Sequence, residues 1–439
     1  PKNTALVTIP IYNSGRSLNR NNTSRTNQNG PKTYGFRGNA RNYDLNRDFI
    51  KSDTKNARTF AEIFHLVQPD IFIDNHVSNG ADYQYTLTHL FTQHNKLGGD
   101  LGNYLHLQMM PKLEQKLTTK NWDITPYVNV FNQVPEKGFS QFMDSPRYST
   151  GYTTLWNTLG MMVETHMLKP YKQRVEGTYE LIKSMIDIVE EDHTSIKILR
   201  NNANLTMLEK GHYPLNWKID STKFSTLNFK GFEGVMIPST ITGAKRLKFD
   251  RTKPFEKEVR YHNNYKSDVT VTIPKAYIIP QGWHEVISLL TLNHVEMSRL
   301  EKDTILQVES YKIDTFETRK RAFEGHYPHY NTTVKSSIKN FNFRKGDYVI
   351  KTNQKALRYL LETLEPQASD SFFNWNFFDT ILQQKEHFSP YVWEDKASEL
   401  LARNPKLQID FNLKKTYDKA FAEEEWMQTP TRQHNSTHV

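Results

Sequence analysis

Two short apolar runs each end in a residue that can do chemistry: Asp70-Ile-Phe-Ile-Asp-Asn-His76 and Met161-Met-Val-Glu164. Runs this short and this apolar suit strands buried on both faces, as in sheets covered by helices on each side. Between and after them, helical periodicity over 55–66, 97–117 and 172–199 gives the alternation of an α/β domain. In the last of these, Val175, Tyr179, Ile182, Met185, Ile186 and Val189 recur at helical spacing. A third run, Ala5-Leu-Val-Thr-Ile-Pro-Ile11, predicts one more buried strand near the start. The fold class expected is a mixed, mostly parallel α/β sheet flanked by helices.

From about residue 215 the composition turns to Thr, Val, Ile, Lys and Tyr with period-two alternation, as in Val269-Thr-Val-Thr-Ile273. That pattern predicts a β-rich stretch. Helical spacing returns at 285–290, 354–364 and 397–403. The organisation expected is therefore an α/β domain over 1–205, a β-rich accessory domain over 206–350, and a helical region with a loose polar tail over 351–439.

Composition narrows the function. The 439 residues contain no Cys, so disulfides and thiolate metal sites are excluded, and a metal would have to rest on His and carboxylates. The net charge is +9, but 57 Lys and Arg are interspersed with 48 Asp and Glu, without a basic run or a recognition motif. Nucleic-acid binding is not expected. No run approaches the roughly 20 apolar residues of a membrane helix. The chain opens on Pro1 and enters an apolar run at once, and the expectation is a polypeptide trimmed on its N-terminal side.

His76, at the carboxyl end of its strand, lies where open α/β sheets place ligands. A lone His there is ordinarily a strand cap, so its weight depends on company. Glu164, closing an apolar strand, would have a raised pKa and suit a general base, or else form a surface salt bridge or a cap. Asp74, two residues from His76, could orient that ring or be plain core polarity. The loop over 12–50 is long for a compact domain and carries Arg16, Arg20, Arg25, Arg37, Arg41 and Arg47, an anion-binding surface. Within it, Asn46-Arg47 sets an amide beside a guanidinium fork, a match for a planar carboxylate. Taken singly, that pair is also an ordinary solvated neighbour of Asp48.

The order of these elements is more specific than any one of them. Strand, Arg-rich loop, Asn-Arg, helix, strand-His, a Tyr-containing loop and strand-Glu over 1–170 resembles the M14 zinc carboxypeptidase family. The segments Gly38-Asn-Ala-Arg-Asn-Tyr-Asp-Leu-Asn-Arg-Asp-Phe49 and Phe72-Ile-Asp-Asn-His-Val-Ser-Asn-Gly80 resemble its large Bacteroidetes-type members, a likeness extending to Ser371-Phe-Phe-Asn-Trp-Asn-Phe-Phe378. The resemblance implies Zn2+ as cofactor, with His76 as a ligand. It implies Glu164 as the base acting on water and Arg25, in Ser24-Arg-Thr-Asn-Gln28, as the oxyanion stabiliser. Asn46 and Arg47 would grip the substrate's terminal carboxylate. Tyr148 would be the tyrosine that closes over the substrate, with Tyr152 as its rival. Peptide C-termini would be the partners, and a periplasmic, secreted or cell-surface location is implied.

The chain departs from that family at one point. Members take two zinc ligands from a His-x-x-Glu motif upstream of the Asn-Arg pair; here no His precedes His65, and no His is followed three residues later by Glu. The other two ligands are therefore expected to be absent, and zinc to bind weakly or not at all. The leading expectation is a zinc-dependent metallocarboxypeptidase, inactive as this chain. The alternatives are a non-catalytic peptide- or glycan-binding M14-like protein and a zinc amidohydrolase acting on N-acyl amino acids. Trp283, Trp375 and Trp393 read as core or ordinary surface aromatics rather than a sugar platform.

Overall fold

The structure, a computed structural model, describes residues 1–423 except 384 and 386–388. The polar tail predicted from sequence lies almost wholly outside the described residues. Helix α1 (Lys55–Val67) begins at Thr54, whose side chain accepts from the Ala57 amide. Phe60, Ala61, Phe64 and His65 form its buried stripe. Strand β1 (Ile71–Ser78) follows, then β2 (Leu87–Phe91), helix α2 (Met110–Thr118), β3 (Ile124–Pro126), the short α3 (Ser149–Thr154), β4 (Leu159–His166) and the long α4 (Tyr171–Leu208).

These four strands make one mixed sheet in the order β1-β4-β2-β3. β1 runs parallel to β4, β4 antiparallel to β2, and β2 parallel to β3. All eight residues of β4 are buried, as its apolar run predicts. Side chains alternate across it. Leu159, Met161 and Val163 enter a core with Leu113 of α2 and Leu181, Met185 and Ile188 of α4. Gly177 lets α4 press close, since a Cβ there would meet the Trp122 ring at 3.0 Å and Leu87 at 3.2 Å.

Several expectations are corrected. Residues 5–11 form no strand; Leu6, Val7 and Ile11 are 65%, 58% and 57% exposed. The Lys2 and Asn3 amides and the Thr4 hydroxyl instead donate to the Glu190 carboxylate on α4, so this segment lies along a helix and gains no ladder partner. β1 is not buried on both faces: it is an edge strand, with Asn75 and Val77 exposed. The helix expected over 97–117 is interrupted at Gly98 and Gly99, both at positive φ, and passes through a wider turn over Leu105–Met109 before α2.

The stretch after α4 is β-rich, as predicted. Strands β5 (His212–Ile219), β6 (Ser225–Pro238), β7 (Lys245–His262) and β8 (Tyr265–Thr272) pair antiparallel as β6 with β7 and β5 with β8. Next come β9 (Ala276–Ile279), α5 (His284–Leu292), β10 (Thr304–Thr318), β11 (His329–Phe343) and β12 (Tyr348–Lys351), with β10 paired to β11 and β9 to β12. Helix α6 (Leu357–Leu364) and helices over Pro390–Arg403, Pro405–Tyr417 and Lys419–Glu423 follow. One core joins distant parts of the chain: Phe49, Phe60, Phe64 and Tyr152 pack with Val286 and Leu290 of α5, Leu360 of α6, and Phe372 and Trp375. Trp375 is thus a core residue and Trp283 packs against that core, whereas Trp393 is exposed. No helix among the described residues is long and apolar enough to cross a membrane.

Candidate functional site

Parallel register places His76 of β1 directly beside Glu164 of β4. Both therefore point from the same face of the sheet. Asp74, two residues earlier, shares that face and holds the ring: its Oδ2 lies 2.8 Å from His76 Nε2 and accepts from the Ser149 hydroxyl at 2.6 Å. Burial alone would lower the His76 pKa, but the Asp74 charge and hydrogen bond, with Glu164 nearby, raise it to about 9. Asp74 is held low in turn, against its burial, by His76 and Ser149.

Glu164 is 8% exposed, and its Oε2 is buried without a hydrogen-bond partner. Burial lifts its pKa to about 7, while His76, Arg37 and Arg47 pull the other way. Thr88 on β2 donates to its backbone oxygen at 3.0 Å and fixes the strand. A carboxyl that ionises near neutrality and lacks a partner can exchange a proton with a ligand.

The long loop supplies the opposite wall. Asp44 caps the turn Leu45–Arg47 by accepting from the Asn46 amide at 3.1 Å. Asp48, expected as a solvated neighbour, is fully buried: it accepts from Lys51 Nζ at 2.8 Å and from the Thr54 amide and hydroxyl at 2.9 and 2.6 Å. The Asn-Arg pair is thereby mounted on the start of α1. Arg47 lies over the Tyr148 ring at 4.5 Å, and the Asn46 side-chain oxygen is buried without a partner. Arg25 stands at φ +54 with a buried, unpartnered Nε, and its pKa is lowered to about 10 by burial and then by Arg16 and Arg37.

The two tyrosines separate. Tyr148 caps α3 beside Arg47, half-buried. Tyr152 is fully buried and donates to Asn293 Oδ1 at 2.5 Å, with His65 beside it, so it belongs to the core. Sequence reasoning missed Tyr127, whose pKa is pushed up by burial and by Glu164, whereas Arg37, whose charge reaches Glu164, is one of the loop arginines named as an anion-binding surface. It also missed Asp144, buried, with one oxygen unpartnered and its pKa raised by burial to about 7. These residues sit in loops that carry no periodic signal.

For zinc, His76 could give a single ligand: its Nε2 faces Asp74 at 2.8 Å, which leaves Nδ1. Among the described residues no group of three or more His, Asp or Glu is arranged to hold a metal. Hydrolytic zinc takes three protein ligands. The residues present do not fit the metal that the resemblance implies.

Comparison with known proteins adds a distant likeness. The chain is 23% identical over 363 residues to carboxypeptidase 2 of Trichophyton rubrum, covering 76% of this chain and 62% of that protein. It is 22% identical over 361 residues to a probable carboxypeptidase 2 of Arthroderma benhamiae, covering 75% and 62%. A stretch of 106 residues is 31% identical to carboxypeptidase 2 of Trichophyton tonsurans, 24% of this chain and 19% of that protein. No family model and no solved structure matches. The chain spans less than two thirds of these relatives, and over three quarters of its own length it is similar to proteins named carboxypeptidase 2.

Proposed function

We propose that the chain carries the substrate grip and the proton-transfer group of a carboxypeptidase that removes C-terminal residues from peptides. The observation that supports this most is Glu164, buried and unpartnered at Oε2, set within electrostatic reach of the Arg47 guanidinium. The name borne by the relatives supports the reaction class. A peptide's terminal carboxylate would lie on Arg47 with the Asn46 amide beside it, a planar, charge-assisted match. Tyr148, stacked on Arg47, would close over that end.

Glu164 as carboxylate takes a proton from the water that adds to the scissile carbonyl. It returns that proton to the amine as the C–N bond breaks. Arg25 would face the oxygen that becomes negative. A bound zinc would supply Lewis-acid polarisation of water and carbonyl. Because the described residues do not complete a zinc site, no step here runs through it.

The test is release of the terminal residue from a peptide and from its C-terminal amide, by the wild type and by Glu164→Gln. The expected result is slow or absent release from the amide, and a loss of about 10²–10⁴ in turnover for Glu164→Gln. Unchanged turnover in the variant overturns the role of Glu164. A second reading, recognition of peptide ends without hydrolysis, is favoured by the Asp74–His76 ion pair. Binding of the acid over the amide with no release of product would establish it.

A further inference from the structure

Arg16, Arg25 and Arg37 crowd together at the loop end of the site. Arg25 feels Arg16 and Arg37, and Arg16 feels Arg37; the carboxylate that answers them is Asp44. Asp44 is already engaged, its Oδ2 accepting from Arg37 at 2.7 Å and its Oδ1 from the Asn46 amide. Three guanidinium groups thus share Asp44, with Glu324 accepting from the Asp44 amide at 2.7 Å and Glu164 within reach of Arg37. Among the described residues, neither the Arg16 nor the Arg25 guanidinium donates a hydrogen bond to another side chain or backbone oxygen.

Arg37 is half-exposed and paired with Asp44, as an ordinary loop arginine would be, but two features set Arg25 and Arg16 apart. Arg25 Nε is out of contact with solvent and lacks a partner, a costly state for a charged donor. The local backbone is also shaped to keep the cluster. Arg25 holds a left-handed φ that non-glycine residues seldom adopt, and Gly35 is required beside Arg16, since a Cβ there would come 2.1 Å from Arg16 Cγ. The cluster also belongs to the site electrostatically, because Arg37 acts on Glu164.

We propose that Arg16 and Arg37, together with Arg25, form a second anion pocket beside the Asn46–Arg47 grip, so that the site selects peptides whose terminal residue has an acidic side chain. This rests on the peptide-end reading given above. A terminal Glu or Asp brings two carboxylates, one for Arg47 and one for the pocket. Arg25 keeps the oxyanion role, and Arg16 and Arg37 carry the selectivity.

The experiment is equilibrium binding of the full chain to two labelled peptides of one sequence ending in Glu or in Gln, together with the C-terminal amide of the second. The Glu peptide is expected to bind about tenfold tighter or better, as one charge-assisted contact implies. Arg16→Gln and Arg37→Gln are each expected to bring the Glu/Gln ratio toward one. In the wild type, raising salt from about 0.05 to about 0.5 M should shrink that ratio, which keeps the test valid if a variant fails to fold. Equal binding of Glu and Gln peptides, or a ratio that survives both substitutions, overturns the pocket. Equal binding with the acid still preferred to the amide refutes the pocket alone. Loss of the acid–amide preference refutes the terminal grip and this proposal with it.

Discussion

Asp144 shows how burial near the site shapes this protein's response to pH. The residue is 3% exposed, is raised to about 7 by burial, and accepts from the Thr150 hydroxyl. An unfolded Asp titrates near 3.9. The folded form therefore holds its proton longer, so stability is fully present below about pH 4 and is lost as pH rises through 7. Asp144→Asn should remove that loss, gaining about 1.4 kcal/mol per pH unit over the window relative to wild type. Urea unfolding at pH 4.5 and pH 8 checks it: a gain independent of pH would contradict the assignment. His65 and His166 run in the opposite sense, since burial lowers each to about 4 and stability tied to them falls as pH drops below 6.5.

At the scale of elements, the Asn-Arg turn depends on the cap of α1. Asp48 ties Lys51, the Asp53 amide and Thr54 into one buried cluster directly after Arg47. Asp48→Ala would leave the fully buried Lys51 ammonium with Asp53 as its remaining carboxylate. The expected cost is about 3–5 kcal/mol, read as a fall in urea midpoint. Peptide-acid binding should weaken with it, because the turn that carries Asn46 and Arg47 loses its anchor. An unfolding free energy within about 0.5 kcal/mol of wild type would show that Asp48 is not a structural anchor.

How much the sequence discloses follows from the same elements. β4 was legible because a continuous apolar run has few other uses, and the His76–Glu164 neighbourhood follows once two such strands pair in parallel. The segment at 5–11 was misread because apolar alternation cannot say whether a partner strand is available. β1 was misread as fully buried for the same reason, since edge position is a property of the sheet. Tyr148 and Tyr152 were indistinguishable in the sequence and differ only in packing. The partner of Arg147 could not be read at all: Asp370, distant in sequence, accepts from Arg147 Nε at 2.7 Å.

Across the whole molecule, that last contact makes the C-terminal part a support for the site. Asp370 also accepts from the Arg147 amide at 2.9 Å and from Trp375 Nε1 at 3.0 Å. Arg147 adjoins Tyr148, so the ring beneath Arg47 is braced by residues far along the chain. A chain ending at residue 350 loses Leu360, Phe372 and Trp375 from the shared core. It should show neither a cooperative unfolding transition nor resistance to limited proteolysis. A sharp transition in that shortened chain would mean that 1–350 closes its own core.

The edge position of β1 has a kinetic consequence. β4 has a ladder partner on each side, while among the described residues β1 has one, β4. Local opening should therefore release β1 far more often than β4, and amides of 71–78 should exchange with solvent deuterium ahead of those of 159–166. Asp74 and His76 travel together in such an opening and keep their ion pair, while Glu164 stays behind. The His76 imidazolium and the Glu164 carboxyl are therefore juxtaposed only as long as the edge strand is closed.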